Sequence, residues 1–372
     1  MRKIKIITVL GTRPEVIKLA PVIKELEKHN SKIISKVVLT GQHRVMVDQF
    51  LEFFQIKPDY DLDIMLKNQT LFDVSSRCME RLAKVLEKER PDLMLVEGDT
   101  TTAFIASLCA FYLKISVGHV EAGLRTHDKY RPFPEEINRC LITVVADLHF
   151  APTKRARENL LKEGIDKKKI YLTGNTVIDA IYAIAGKDYP VKNKQLRKID
   201  FKNKKVILVT AHRRESFGGS LLSICRALKE ISAFKDVEII YPVHLNPNVQ
   251  KPVQKLLNNR RNIHLLSPLD YESFVYVLKN CYFALTDSGG VQEEAPAFGK
   301  PILVMREVTE RPEGVDSGVA RLVGMNSERI VAEAKKLLFS KSAYDKMAKS
   351  VNPYGDGHAA ERIVKAIING FR

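Results

Sequence analysis

Ten short runs rich in Val, Ile and Leu recur along the 372-residue chain, and a longer stretch of helical patterning follows each. The runs are Ile4 to Leu10, Ile33 to Thr40, Leu93 to Val96, Ser116 to Glu121 and Leu148 to Ala151, then Val206 to Thr210, Val237 to Pro242, Ile263 to Leu266, Phe283 to Thr286 and Pro301 to Met305. They are continuously apolar rather than alternating, so each is a strand buried on both faces. That pattern belongs to parallel sheets covered by helices, and it predicts an α/β fold. Ten strands exceed one ordinary sheet. The composition changes between Gly186 and Lys205, a stretch with eight Lys or Arg and one Pro. We therefore expect an N-terminal domain over 1–186, a linker over 187–205 and a C-terminal domain over 206–351. The final segment, 357–372, carries a helix from His358 to Ile368 that is expected to cross back onto the first domain. Two α/β halves place a ligand in a central cleft at the carboxyl ends of their strands.

Charge narrows the partners. Sixty Lys and Arg against 44 Asp and Glu leave +16, which invites a nucleic-acid reading without establishing one. The five cysteines (78, 109, 140, 225 and 281) are odd in number and widely spaced, as expected of buried thiols in a reducing cytoplasm. No CxxC, HExxH or Cys/His cluster is present, so no metal is expected. The basic-then-apolar start stops at Gly11 and reads as a first strand, not an export signal, and no apolar run is long enough to insert in a membrane.

Two strand-to-helix junctions have the chemistry of anion sites. After the first strand, Gly11-Thr12-Arg13-Pro14-Glu15 puts Pro at a helix start, where backbone N–H groups, the helix dipole and Arg13 face one point, with Lys18 a turn further on. After Phe283 to Thr286, Asp287-Ser288-Gly289-Gly290 opens another helix. Its glycines let phosphate oxygens approach and Ser288 adds a hydroxyl, while Glu294 reaches ribose hydroxyls instead. His212 directly follows a strand and His244 ends the next, both well placed to meet a ligand. In the first half, Asp99, Glu121 and Glu135 stand at strand or helix ends that converge on one crevice. Carboxylates held near one another separate their proton affinities and supply an acid and a base at one pH.

Two motifs mislead. Gly355-Asp356-Gly357-His358-Ala359-Ala360 fits a dinucleotide fingerprint but follows no strand, so no nicotinamide is expected. Asp61-Leu62-Asp63 mimics a metal-binding DxD and reads as a polar loop.

With these residues together, the chain resembles the non-hydrolysing UDP-N-acetylglucosamine 2-epimerases. The resemblance rests on Gly-Thr-Arg-Pro-Glu (11–15), Thr-Gly-Gln-His-Arg (40–44), Glu-Gly-Asp-Thr (97–100), His-Val-Glu-Ala-Gly-Leu-Arg (119–125) and Phe-Pro-Glu-Glu-Ile-Asn-Arg (133–139). It continues in His-Arg-Arg-Glu-Ser (212–216), Thr-Asp-Ser-Gly-Gly-Val-Gln-Glu-Glu-Ala-Pro (286–296) and Thr-Glu-Arg-Pro-Glu (309–313). It implies a GT-B architecture of two Rossmann-like domains, a homodimer, no cofactor and no nucleic-acid partner. The implied reaction converts UDP-GlcNAc reversibly to UDP-ManNAc for surface glycan synthesis. Carried over by motif, Arg13, His212, Ser288, Gly289, Gly290 and Arg311 surround the diphosphate, Glu294 takes the ribose and Phe274 the uracil. Asp99, Glu121 and Glu135 are the acid/base candidates, supported by Lys18, Arg139 and His212. Gln42, Gln69, Arg213 and His244 resemble a neighbouring site for a second, activating UDP-GlcNAc, although Val45 stands where a polar contact is expected. The rival readings are a hydrolysing epimerase releasing ManNAc and UDP, a GT-B glycosyltransferase, and a polyanion-binding protein.

Overall fold

The computed structural model describes residues 2–41, 44–66, 68–187, 193–213 and 218–370, with backbone alone at 44–46. The chain divides into two compact units. One comprises Met1–Ala180 and Gly355–Arg372, the other Ile181–Tyr354.

The first unit holds strands β1 (Ile4–Leu10), β2 (Ile33–Leu39), β3 (Tyr60–Asp61), β4 (Leu93–Glu97), β5 (Ser116–Val120), β6 (Leu148–Ala151) and β7 (Ile170–Leu172), ordered β3-β2-β1-β4-β5-β6-β7. The second holds β8 (Lys205–Thr210), β9 (Val237–Pro242), β10 (Ile263–Leu266), β11 (Phe283–Thr286), β12 (Ile302–Val304) and β13 (Ala320–Leu322), ordered β10-β9-β8-β11-β12-β13. Among the described residues every pairing is parallel. Both are Rossmann-like, and in each the strand order reverses beside the first strand: between β1 and β4, and between β8 and β11. The crevice of a doubly wound sheet opens at that reversal, beyond the strands' carboxyl ends.

The continuous apolar runs explain the layering. In the first unit Ile7, Val9, Met94 and Val96 pack against Leu82, Leu86, Ile105 and Ala106 from the covering helices. In the second, Ile207, Val209, Ile239 and Phe283 meet Leu228, Ile231, Val331 and Leu337. Apart from Ala106, each such side chain contributes about 1.5–3 kcal/mol of burial, so the sheet centres anchor both units.

Three strands, β3, β7 and β13, are additional to the ten expected, and all three are sheet edges. Asp61 accordingly ends an edge strand rather than lying in a loop, and its carboxylate accepts the N–H of Asp63 at 3.0 Å. In the second unit, the Tyr182 hydroxyl donates to the Ala297 carbonyl at 3.0 Å, and Lys279 donates to the Ala185 carbonyl at 3.0 Å. The last helix, Ala359–Gly370, belongs to the first unit. Asp179 accepts the N–H groups of Ala359 (3.2 Å) and Ala360 (2.9 Å), and Arg362 donates to the Thr173 carbonyl at 3.0 Å. Residues 188–192, inside the expected linker, lie outside the described residues. No helix among the described residues is long and apolar enough to cross a membrane.

Candidate functional site

At the first reversal, helix Arg13–Lys28 starts directly beyond β1. The expected anion cradle is altered here by the chain itself. Buried Glu15 Oε2 accepts the N–H of Gly11 at 2.9 Å and of Thr12 at 2.5 Å, and Oε1 accepts the Thr100 hydroxyl at 2.7 Å. Those donors are therefore committed to an internal carboxylate, and Arg13, which is exposed, remains the cationic feature of the turn.

Lys18, on the same helix, is directed at carboxylates. Its Nζ lies 3.1 Å from Glu97 Oε1 and forms an ion pair with Glu121 Oε2, and Asn175 Nδ2 donates to that same Glu121 oxygen at 3.0 Å. Glu121 follows β5 in the left-handed region, φ +64°. Few non-glycine residues adopt it, and local strain of this kind persists where surrounding contacts over-determine it, often at functional sites. Gly123 next turns at φ +90°, with a Cβ there falling 2.2 Å from the Ala156 carbonyl oxygen, so only glycine fits.

Asp99 lies just beyond β4. Arg139 Nη2 is 2.5 Å from its carboxylate, and Asn138 Nδ2 donates to its backbone carbonyl at 2.9 Å. Both partners come from helix Glu135–Val145, whose first residue is Glu135. Burial raises the Asp99 pKa above the carboxylate norm; Arg139 and Lys18 oppose this, while the charges of Glu121 and Glu135 reinforce it. The structure thus brings Asp99, Glu121, Glu135, Lys18 and Arg139 into one electrostatic group. Glu136, buried beside them, accepts the N–H groups of Thr126 (3.0 Å) and His127 (2.9 Å) and lies 3.5 Å from Arg139 Nη1, which holds that helix start in place.

Three contributors were not assigned roles from sequence. Glu97 is a strand-end acid whose partner comes from a distant helix, and Asn175 carries no motif. His119 stands two residues before Glu121 and is fully buried. Its Nε2 donates to the Gly98 carbonyl at 2.7 Å, fixing the residue between Glu97 and Asp99.

At the second reversal, fully buried Asp287 directly follows β11. Its Oδ2 accepts the N–H of His212 at 2.7 Å and of Arg213 at 2.9 Å, and Oδ1 lies 3.3 Å from His212 Nδ1. The His212 ring stacks on His244, centroids 5.7 Å apart and 12° from parallel. Burial holds the His212 pKa below its usual value despite Asp287. Asp287 is the organiser that sequence missed; the Thr286–Pro296 motif contains it, but the N–H groups its carboxylate accepts from are remote in the chain.

Ser288 caps helix Gly289–Glu294, and its own N–H is donated to the Thr286 hydroxyl at 2.9 Å. A Cβ on Gly289 would lie 3.8 Å from Arg213 Nη2, which places Arg213 over this turn. Arg311 forms an ion pair with Glu293, and Arg213 reaches Glu310 at 3.2 Å, with Arg306 3.7 Å from the same oxygen. These guanidinium groups hold the Glu310 pKa below its usual value against the opposing effect of burial. Glu294 accepts the Tyr271 hydroxyl at 2.6 Å, and Tyr271 stacks on Phe274, centroids 6.5 Å apart. His212, Arg213, His244, Ser288, Gly289 and Gly290 therefore share one end of this sheet, and Phe274 joins Glu294 through Tyr271.

Gln69 is on an exposed loop, where its Oε1 accepts the Leu66 N–H at 3.0 Å. Gln42 and residues 214–216 of the His-Arg-Arg-Glu-Ser motif lie outside the described residues, as does the side chain of Val45. Among the described residues, no group of three or more His, Cys, Asp or Glu is placed to hold a metal ion.

Two Rossmann-like parallel-sheet units, one gathering carboxylates and the other a glycine turn with His and Arg, define a GT-B-type protein. A glycotransferase of kitacinnamycin shares the fold at 14% identity, with TM-score 0.67 and coverage of 98% of this chain and all of that one. Residues 24–368 match the family model described as UDP-N-acetylglucosamine 2-epimerase. A Campylobacter jejuni UDP-N-acetylglucosamine 2-epimerase is 53% identical over 98% of each chain. The structure of the Neisseria meningitidis UDP-GlcNAc 2-epimerase bound to UDP-GlcNAc is 48% identical, with TM-score 0.87 over 98% of this chain and 100% of that one. The chain belongs to the UDP-N-acetylglucosamine 2-epimerase family.

Proposed function

We propose that the chain interconverts UDP-GlcNAc and UDP-ManNAc by eliminating UDP and adding it back, without releasing the free sugar. The observation that carries the proposal is the grouping of Asp99, Glu121 and Glu135 with Lys18 and Arg139 in the first unit. The proton on sugar carbon 2 has no adjacent carbonyl, so its removal needs a concerted electron sink. That sink is the carbon 1–oxygen bond: as a base takes the proton, the electron pair forms a carbon 1–carbon 2 double bond and UDP leaves with the bonding pair. The product of this half is 2-acetamidoglucal. In the return half a UDP oxygen attacks carbon 1 while an acid delivers a proton to the opposite face of carbon 2.

Two faces require more than one acid/base group, and the carboxylate set supplies them. The leaving diphosphate gathers charge that positive groups stabilise, and Arg13, His212, Arg213 and Arg311 with the Ser288–Gly290 turn have the chemistry for that task. Glu294, held by Tyr271, suits the ribose, and Phe274 the uracil. No step needs a nicotinamide or a metal. In this reading the protein acts as a homodimer in the cytoplasm, feeding ManNAc-type sugars to surface glycan synthesis.

Incubation with UDP-GlcNAc in deuterium oxide, followed by proton NMR, tests the proposal. We expect deuterium at carbon 2 in a mixture of both UDP-sugars. Accumulating free ManNAc with UDP would establish hydrolysis instead, and absence of deuterium without an acceptor sugar would favour glycosyl transfer. Asp99→Asn, Glu121→Gln and Glu135→Gln should each retain UDP binding and lose roughly 100-fold or more of turnover, the usual weight of acid/base catalysis.

A further inference from the structure

Lys18 is one ammonium shared by two buried carboxylates. Its Nζ pairs with Glu121 on one side and lies 3.1 Å from Glu97 Oε1 on the other. Glu97 is only 2% exposed, at the last position of β4, where it pairs in register with Val120, the residue before Glu121. The groups facing it are Lys18 and Glu15 from helix Arg13–Lys28 and Glu121 from the end of β5. One cation cannot offset two buried anions with a third carboxylate nearby, because each uncompensated buried charge is costly.

We propose that Glu97 is a positioning residue that holds Lys18 against Glu121 as an uncharged carboxylic acid, leaving the positive charge of Lys18 to Glu121. This role rests on the epimerase reading, in which Glu121 takes part in proton transfer. Burial and the charges of Glu121 and Glu15 push the Glu97 pKa well above its ordinary value and outweigh Lys18, in agreement with the neutral form. The neutral acid also has a structural use. Its Oε1 can still accept from Lys18 at 3.1 Å, but a neutral acid draws less on the ammonium than a carboxylate would, which leaves the charge of Lys18 to the Glu121 oxygen that Asn175 Nδ2 also holds. Ionisation of Glu97 would place two carboxylates on one ammonium, draw Lys18 off Glu121 and raise the proton affinity of Glu121.

The test compares Glu97→Gln, which keeps the shape and neutrality, with Glu97→Ala, which removes the oxygen that Lys18 meets at 3.1 Å. Wild-type enzyme that incorporates deuterium at carbon 2 is the control. Its failure would remove the epimerase reading itself, whereas a wild type that exchanges normally leaves the variants to judge Glu97. We expect Glu97→Gln to keep kcat within about 3-fold, and Glu97→Ala to lose roughly 30-fold or more in kcat with KM changed less than about 3-fold, the split of a group acting in the transition state. The alkaline limb of kcat should also lie at higher pH in Glu97→Gln than in wild type, since the variant cannot ionise. Equal damage in both variants, or full activity in Glu97→Ala, overturns the proposal. If Glu97→Ala does not fold, Glu97→Gln decides alone: lost turnover, or an alkaline limb coincident with that of wild type, overturns it.

Discussion

His119 offers a test in which the structure sets both sign and size. The ring is fully buried on β5 and donates from Nε2 to the Gly98 carbonyl at 2.7 Å, which leaves Nδ1, without a hydrogen-bond partner, as the unprotonated nitrogen. Burial is the main cause that lowers its pKa to about 3 from 6.5. The folded form therefore refuses a proton that the unfolded chain accepts. The stability from neutral His119 is complete above the unfolded value and is lost as pH falls towards the folded one. At about pH 5 the unfolded chain is stabilised by RT ln(1 + 10^1.5), about 2 kcal/mol, while the folded state gains almost nothing.

His119→Phe removes both the titration and the donor. Near neutral pH it should cost about 1–3 kcal/mol, because the Gly98 carbonyl loses its donor. Any packing penalty of the new ring is independent of pH, so it cancels when the gap between the proteins is compared at two pH values. Urea unfolding, followed through the transition that releases β5, should show that gap shrinking by about 2 kcal/mol between about pH 7.5 and about pH 5. Other buried acids, such as Glu15 and Asp99, shift both curves together and leave the difference intact. A gap that stays constant would refute the neutral, buried imidazole.

Gly123→Ala drives a Cβ into the Ala156 carbonyl at a positive φ, and a loss of about 3 kcal/mol or more is expected from thermal unfolding. Asp179→Ala removes the acceptor for the first two N–H groups of helix Ala359–Gly370; it should cost about 1 kcal/mol and speed amide exchange at Ala359 and Ala360. Asp287→Ala frees the His212 and Arg213 N–H groups, so a tenfold or greater loss of UDP affinity by calorimetry is expected, at roughly 1.4 kcal/mol per tenfold. Unchanged affinity would detach that turn from the nucleotide.

Legibility in the sequence followed burial. Central strands are sealed on both faces, so β1, β4, β8 and β11 announce themselves as unbroken apolar runs. The edge strands β3, β7 and β13 are two or three residues long and partly exposed. Nothing demands an apolar run of them, and pairing to an existing sheet is enough to make them strands. Asp61 therefore read as loop.

The sequence by itself determined the α/β class, the glycine turns and the residues standing at strand ends, because hydrophobic continuity and turn chemistry act over short distances along the chain. Strand ends were where Asp99, Glu121, His212 and Ser288 proved to lie. Tertiary structure alone decided partnership. It brought Lys18 from one helix between Glu97 and Glu121, gave Glu15 the N–H groups that had suggested an anion site, and placed Asp287 beneath His212. Such pairings join residues far apart in the chain, 103 positions in the case of Lys18 with Glu121. They depend on sheet order, which brings β1 beside β4 and β8 beside β11, and a charge's partner is fixed by that proximity.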